Sequence, residues 1–215
     1  MNIDFVIRIL RKEVVKYKVP IMDLVKNQTH DPFKILVGTI LSARTKDEVT
    51  AVVLPKLWKE VGRADDFRKL SVEQIQKLIY PVGFYKNKAK FLKKLPEVLD
   101  KEFGGKLPQS VEELVKLPGV GRKTANLVVA LAFDKPAICV DTHVHKIMNG
   151  LGYVKTKNPL ETEMALRKKL PKKYWIDVNR LLVAFGQHLC RPVSPKCSIC
   201  PIYKYCSRIG VTNSR

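Results

Sequence analysis

Helix-start signals recur along this chain while the strand signature is almost missing, and that combination narrows the possible folds more than any other feature. Asp31-Pro32 opens an apolar run to Ala43 with proline at the first helical position, and Asn158-Pro159-Leu160-Glu161 repeats the device. Thr45 with Glu48, Ser71 with Gln74 and Ser110 with Glu113 have capping-box spacing, in which a hydroxyl takes a first-turn N–H and the later side chain reaches back. Helical periodicity also covers Ile3 to Tyr17, Lys86 to Phe103, Arg122 to Phe133, Thr142 to Leu151 and Ile176 to Leu189, with Pro or Gly between most of these stretches. The expectation is an all-α protein of about ten short helices. A chain of 215 residues that is 46% hydrophobic can bury one large core or two small ones, which excludes a disordered chain.

Charge narrows the partners. Lys and Arg number 40 against 20 acidic residues, a net +20, so a polyanion is the natural ligand: nucleic acid first, an anionic membrane surface second. The competing reading is a solvated, lysine-rich surface such as a heat-adapted protein carries. Met1 to Leu10 includes Asp4 and Arg8 and does not read as a signal peptide, and no segment has membrane-spanning length. We therefore expect a reducing, cytoplasmic setting, where cysteines serve as ligands or small buried residues and not as disulfides.

Four of the five cysteines, Cys190, Cys197, Cys200 and Cys206, follow the pattern Cys-x6-Cys-x2-Cys-x5-Cys. Four thiolates so close in sequence can surround a soft metal, and both zinc and a 4Fe-4S cluster accept that set. Cys139, within Ala-Ile-Cys-Val, reads as a small core residue.

Leu117-Pro118-Gly119-Val120-Gly121 lies between two predicted helices. Glycines there permit positive φ and let first-turn amides approach a phosphate, with Arg122 adding charge, although an ordinary helix–helix turn has the same look. Lys123 falls in the first turn of the second helix. The dipole there and Arg122 both disfavour a charged ammonium, and a neutral amine is what attacks a sugar carbon, while a plain phosphate contact is the simpler role. Asp141 precedes a helix and has the placement of an N-cap. His143 and His145 point to different helix faces and form no metal pair.

The stretch Leu117 to Asn126 resembles the helix-hairpin-helix of the endonuclease III family of DNA glycosylases. Val140-Asp141-Thr142-His143-Val144 resembles that family's loop with the catalytic aspartate, and the cysteine spacing resembles its iron–sulphur loop, so the likeness runs from about Asp31 to Cys206. The resemblance implies two helical domains flanking a DNA-binding cleft: a barrel over residues 25–135, and a cluster domain made of residues 1–24 plus 136–215. It implies a 4Fe-4S cluster on Cys190, Cys197, Cys200 and Cys206, with Arg191 and Lys196 on the loop able to touch phosphate. Lys123 would displace the damaged base, form a Schiff base with the opened sugar and let β-elimination break the strand. Asp141 would assist glycosidic cleavage, where the oxocarbenium-like sugar needs a carboxylate.

Such an enzyme must extrude a nucleotide and fill the hole. Ile40 to Asp47 resembles the segment whose glutamine fills it, but Arg44 stands here and can only donate, which alters the opposite-base contact. Val82-Gly83-Phe84-Tyr85 resembles the wedging loop, with Phe84 as the wedge; a packing aromatic is the alternative. Lys86, Lys88, Lys90, Lys93 and Lys94 read as solvated or phosphate-attracting charges. The partner is then duplex DNA with damaged bases or abasic sites, bound by a monomer. The substrate that the resemblance implies is an oxidised pyrimidine; the alternatives are uracil or thymine opposite guanine, or a non-catalytic DNA-binding module.

Overall fold

The computed structural model describes residues 2–17 and 20–215. Among these it contains twelve α-helices, against the ten or so expected, with three single-turn 3₁₀-helices and no strand, which is the all-α class that the sequence pattern leads one to expect. In chain order the helices are α1 (Ile3–Val14), α2 (Ile21–Thr29), α3 (Pro32–Ser42), α4 (Asp47–Glu60), α5 (Asp66–Lys69), α6 (Val72–Ile79), α7 (Tyr85–Phe103), α8 (Val111–Leu114), α9 (Arg122–Phe133), α10 (Thr142–Gly150), α11 (Pro159–Lys169) and α12 (Asp177–His188). They fall into two compact units, one of Ile21–Lys135 and one of Met1–Pro20 with Pro136–Arg215. No helix of the described residues is long and apolar enough to cross a membrane.

Most caps form as their spacing suggests. Asp31 accepts from the N–H groups of Phe33 and Lys34 with Pro32 in the first turn, and Ser71 with Gln74 makes both bonds of a capping box. Ser110 and Asn158 take the N–H groups of Glu113 and Glu161. Thr45 does not cap α4. That helix starts behind Lys46 with no side-chain cap, and the Thr45 hydroxyl instead donates to the Leu41 carbonyl at 2.8 Å and accepts from Gly83 N–H at 3.1 Å. A local pattern lost here to a partner 38 residues away. Helix α2 carries no local start signal, because its first amide donates to Asp47, 26 residues later.

In the unit Ile21–Lys135, α3 is the central element, packed against α2, α4, α7 and α9. Its Ile35, Leu36, Val37, Ile40 and Leu41 are all buried, the composition of a helix enclosed on several sides. Each such side chain contributes roughly 1.5–3 kcal/mol through burial. In the other unit α1 and α10 pack on α12 around Val6, Ile7, Leu10, Val144, Ile147, Leu181 and Phe185. These two cores fix the helix starts on which the candidate residues sit.

Candidate functional site

Helix α9 begins at the hairpin. Gly119 has φ +77°, and a Cβ there would come within 2.6 Å of the Phe91 ring, so both conformation and packing demand glycine. Gly121 is the N-cap of α9 with φ −88°, and no atom lies within 4 Å of where its Cβ would be. The backbone is therefore open to a close approach from outside. Val120 buries its side chain and donates its N–H to the Leu117 carbonyl, so it contributes turn geometry more than a contact surface. Arg122 is half-buried and Lys123 exposed in the first helical turn.

Asp141 is the N-cap of α10, its Oδ1 accepting from Val144 N–H at 2.9 Å. The capping reading of this residue is thus correct as geometry, and it leaves the second carboxylate oxygen for other work. His143, two residues on, lies so close to α12 that a Cβ on Gly186 would sit 2.3 Å from its Nδ1. His145 faces elsewhere and joins Thr162 through a 2.6 Å contact, so the two histidines share no site.

Arg44 and Phe84 come together. Both have left-handed backbones, φ 54° and 57°, and the Arg44 guanidinium carbon lies 5.6 Å from the Phe84 ring centre. Phe84 is 60% exposed and so is not a core residue. The lysines after it divide. Lys88 is only 6% exposed and donates to the carbonyls of Leu41 and Ala43 and to the Thr45 hydroxyl; burial lowers its pKa to about 8. Lys93 donates to the carbonyls of Phe67, Arg68 and Leu70. Neither is the solvated charge that its neighbours suggest. A signal for Lys88 existed: it stands four, seven and eleven residues before the buried Leu92, Leu95 and Leu99, on the inward stripe of α7.

Cys190, Cys197, Cys200 and Cys206 line a single cavity whose walls include Ile147, Leu151, Phe185, Leu189 and Ile202. No cysteine forms a disulfide, and Cys139 is buried apart from the four with its carbonyl accepting from Asn179. Burial, and then the charges of Cys200, Cys206 and Cys197, push the Cys190 thiol up to about 11; burial does the same in kind to Cys200. Four thiolates cannot share an apolar cavity without a cation among them, so the donor set fits an iron–sulphur cluster. Arg191 is exposed on the following loop and Lys196 half-buried, its N–H tied to the Leu189 carbonyl.

Residues 37–172, which span both helix starts, match the model of the HhH-GPD superfamily of base excision DNA repair proteins. The chain belongs to that superfamily. Residues 190–206, bounded by the first and last of the four cysteines, match the iron–sulphur binding domain of endonuclease III. Among HhH-GPD relatives, the endonuclease III of Thermotoga maritima is 45% identical over 176 residues, covering 82% of this chain and 83% of that protein. A structure of a non-covalent endonuclease III–DNA complex is 33% identical over 96% of this chain and 94% of its own, with a TM-score of 0.84. A trapped endonuclease III–DNA covalent intermediate is 37% identical over 83% of this chain and 84% of its own, with a TM-score of 0.78.

Proposed function

We propose that this chain is a bifunctional base-excision enzyme that removes oxidised pyrimidines from duplex DNA and cuts the strand at the resulting abasic site. The observation that carries the reading is an exposed lysine, Lys123, in the first turn of the helix that follows the hairpin, within an HhH-GPD match that also contains Asp141. In the reaction, the Lys123 amine forms an N–C1′ bond as the N-glycosidic bond breaks and the base leaves with a proton. The sugar ring opens to an imine; loss of a C2′ proton then expels the 3′ oxygen, and water releases the lysine. The Asp141 carboxylate stabilises positive charge developing at C1′ and moves the protons this needs. Covalent trapping with DNA in the endonuclease III relative supports an amine route.

The amides and charge around Gly119, Gly121 and Arg122, with Arg191 and Lys196, hold backbone phosphates, while Arg44 and Phe84 enter the space of the extruded nucleotide. Cys190, Cys197, Cys200 and Cys206 hold a 4Fe-4S cluster, which when bound ties the C-terminal loops together. The barrel over residues 25–135 and the cluster domain of 1–24 with 136–215 act as one monomer on chromosomal DNA in the cytoplasm.

Borohydride reduction tests the mechanism with duplexes carrying an oxidised pyrimidine, an abasic site, or uracil or thymine opposite guanine. The parent should give a covalent adduct fastest on the first two, and Lys123→Ala none. An adduct with Lys123→Ala, or none with the parent, would refute the amine assignment. Fastest trapping opposite guanine would reassign the protein to mismatched bases, the alternative that Arg44 leaves open.

A further inference from the structure

Lys88 lies one turn inside α7, beside the exposed wedge residue, yet its ammonium is turned inward to three oxygens, none of them a carboxylate. They are the Leu41 carbonyl at 2.9 Å, the Ala43 carbonyl at 2.5 Å and the Thr45 hydroxyl at 3.3 Å. Burying a cation without a counter-ion is costly, and the free carbonyls at a helix end can be satisfied by water. What the lysine adds is a fixed distance between two backbone turns. The Thr45 hydroxyl that receives Lys88 also receives Gly83 N–H at 3.1 Å, and a Cβ on Gly83 would come within 2.3 Å of the Arg44 carbonyl oxygen. The turns around residues 44 and 83 therefore touch through their main chains. At that seam Arg44 and Phe84 both hold left-handed conformations that side chains rarely adopt, and their side chains meet outside it.

We propose that Lys88, acting with Thr45, is a positioning residue that holds Arg44 and Phe84 as one preformed two-pronged wedge, so that these turns are ordered on folding and not on contact with DNA. Preorganisation of this kind raises the yield of nucleotide extrusion without touching the reacting atoms. Desolvation of the amine, already seen in its lowered pKa, agrees with a group sealed beneath the wedge. The inference rests on the glycosylase reading above and assigns it a residue that meets neither substrate nor cofactor.

The test compares two duplexes under single-turnover conditions, one with an oxidised pyrimidine that must be extruded and one with an abasic site that has no base to evict. Lys88→Met should lower the ratio of base release to abasic-site cutting at least tenfold. Lys88→Arg, which keeps the charge and N–H donors, should recover most of that ratio. In a Phe84→Ala background, where the wedge is already gone, Lys88→Met should change the ratio less than twofold. A uniform loss on both duplexes, or the same tenfold effect in the Phe84→Ala background, overturns the inference. If Lys88→Met gives no cooperative melting transition, Thr45→Val must show the same split in its place, and a Thr45→Val ratio equal to the parent's overturns it. The parent separates the two claims: inactivity on both duplexes overturns the enzyme reading and this inference with it, while an active parent with a uniform mutant loss overturns the inference alone.

Discussion

Adding one methyl group at either hairpin glycine should have opposite consequences for stability and binding. At Gly119 the backbone has φ +77°, and an alanine Cβ would meet three Phe91 side-chain atoms at 2.6, 3.1 and 3.2 Å. The left-handed conformation costs alanine about 1 kcal/mol and the overpacking about 1–3 kcal/mol more, so Gly119→Ala should lose roughly 2–4 kcal/mol. At Gly121 φ is −88° and nothing lies within 4 Å of the added carbon. The gain from a stiffer unfolded chain, about 0.4–1 kcal/mol, offsets the loss of a favourable cap residue, so Gly121→Ala should hold stability to within about 0.5 kcal/mol. On the proposed function its methyl group would, however, stand where a backbone phosphate is held. A hydrogen bond to a charged group is worth about 1.5–3 kcal/mol, so losing one should weaken duplex binding roughly tenfold or more. Denaturant midpoints and binding isotherms over a salt series read both quantities. Phe91→Ala combined with Gly119→Ala should relieve the packing part of the loss. The reasoning fails if Gly119→Ala unfolds at the parent's midpoint, or if Gly121→Ala binds DNA as tightly as the parent.

Three further outcomes follow from the geometry. Lys88 has a pKa near 8 in the fold against 10.5 for an ordinary lysine. Between those values the unfolded chain binds more protons, so parent stability should rise with pH relative to Lys88→Met, by up to about 3 kcal/mol, and an unchanged difference between about pH 7 and pH 10 would contradict the burial. Asp141→Asn keeps an acceptor for Val144 N–H and should melt like the parent while base release falls about 10²–10⁴-fold; Asp141→Ala should in addition lose about 1 kcal/mol, seen by calorimetry. Cys197→Ser should abolish the visible absorbance of the cluster and Cys139→Ser should keep it, and the reverse result would show the ligand set to be misassigned.

What could be read in advance depended on how far away the deciding partner lay. Asp31, Ser71, Ser110 and Asn158 bond to amides two or three residues on, so their spacing was enough to locate four helices. The four cysteines were legible for a similar reason, since three lie within ten residues and chemistry restricts what such a set can hold. Thr45 carries the same local pattern as Ser71, yet its hydroxyl serves Gly83 and Lys88, which no window around residue 45 contains. Lys88 was hidden by its company: among five lysines in nine positions the eye reads charge, and only the register with Leu92, Leu95 and Leu99 separates it from the others. Helix α2 was invisible because its starting amide is satisfied by Asp47 from another helix.

Several exceptions to local rules gather at one seam. Six described residues other than glycine are left-handed: His30, Asp134, Ser194 and Arg208 lie elsewhere, Asp134 ending α9, whereas Arg44 and Phe84 occupy that conformation beside each other from segments forty residues apart. The buried, carboxylate-free lysine and the threonine that forgoes its cap lie directly under the same pair. Each feature is unfavourable alone: a strained backbone, a desolvated charge, an uncapped helix. Natural chains keep such departures where they serve function, because elsewhere nothing would offset them. Here the offset is mutual on the folded side, since the lysine's donors satisfy the carbonyls that the strained turn exposes. What that mutual support leaves exposed is an arginine and an aromatic ring held at one place and one orientation, which is the requirement for replacing a base in a stacked duplex.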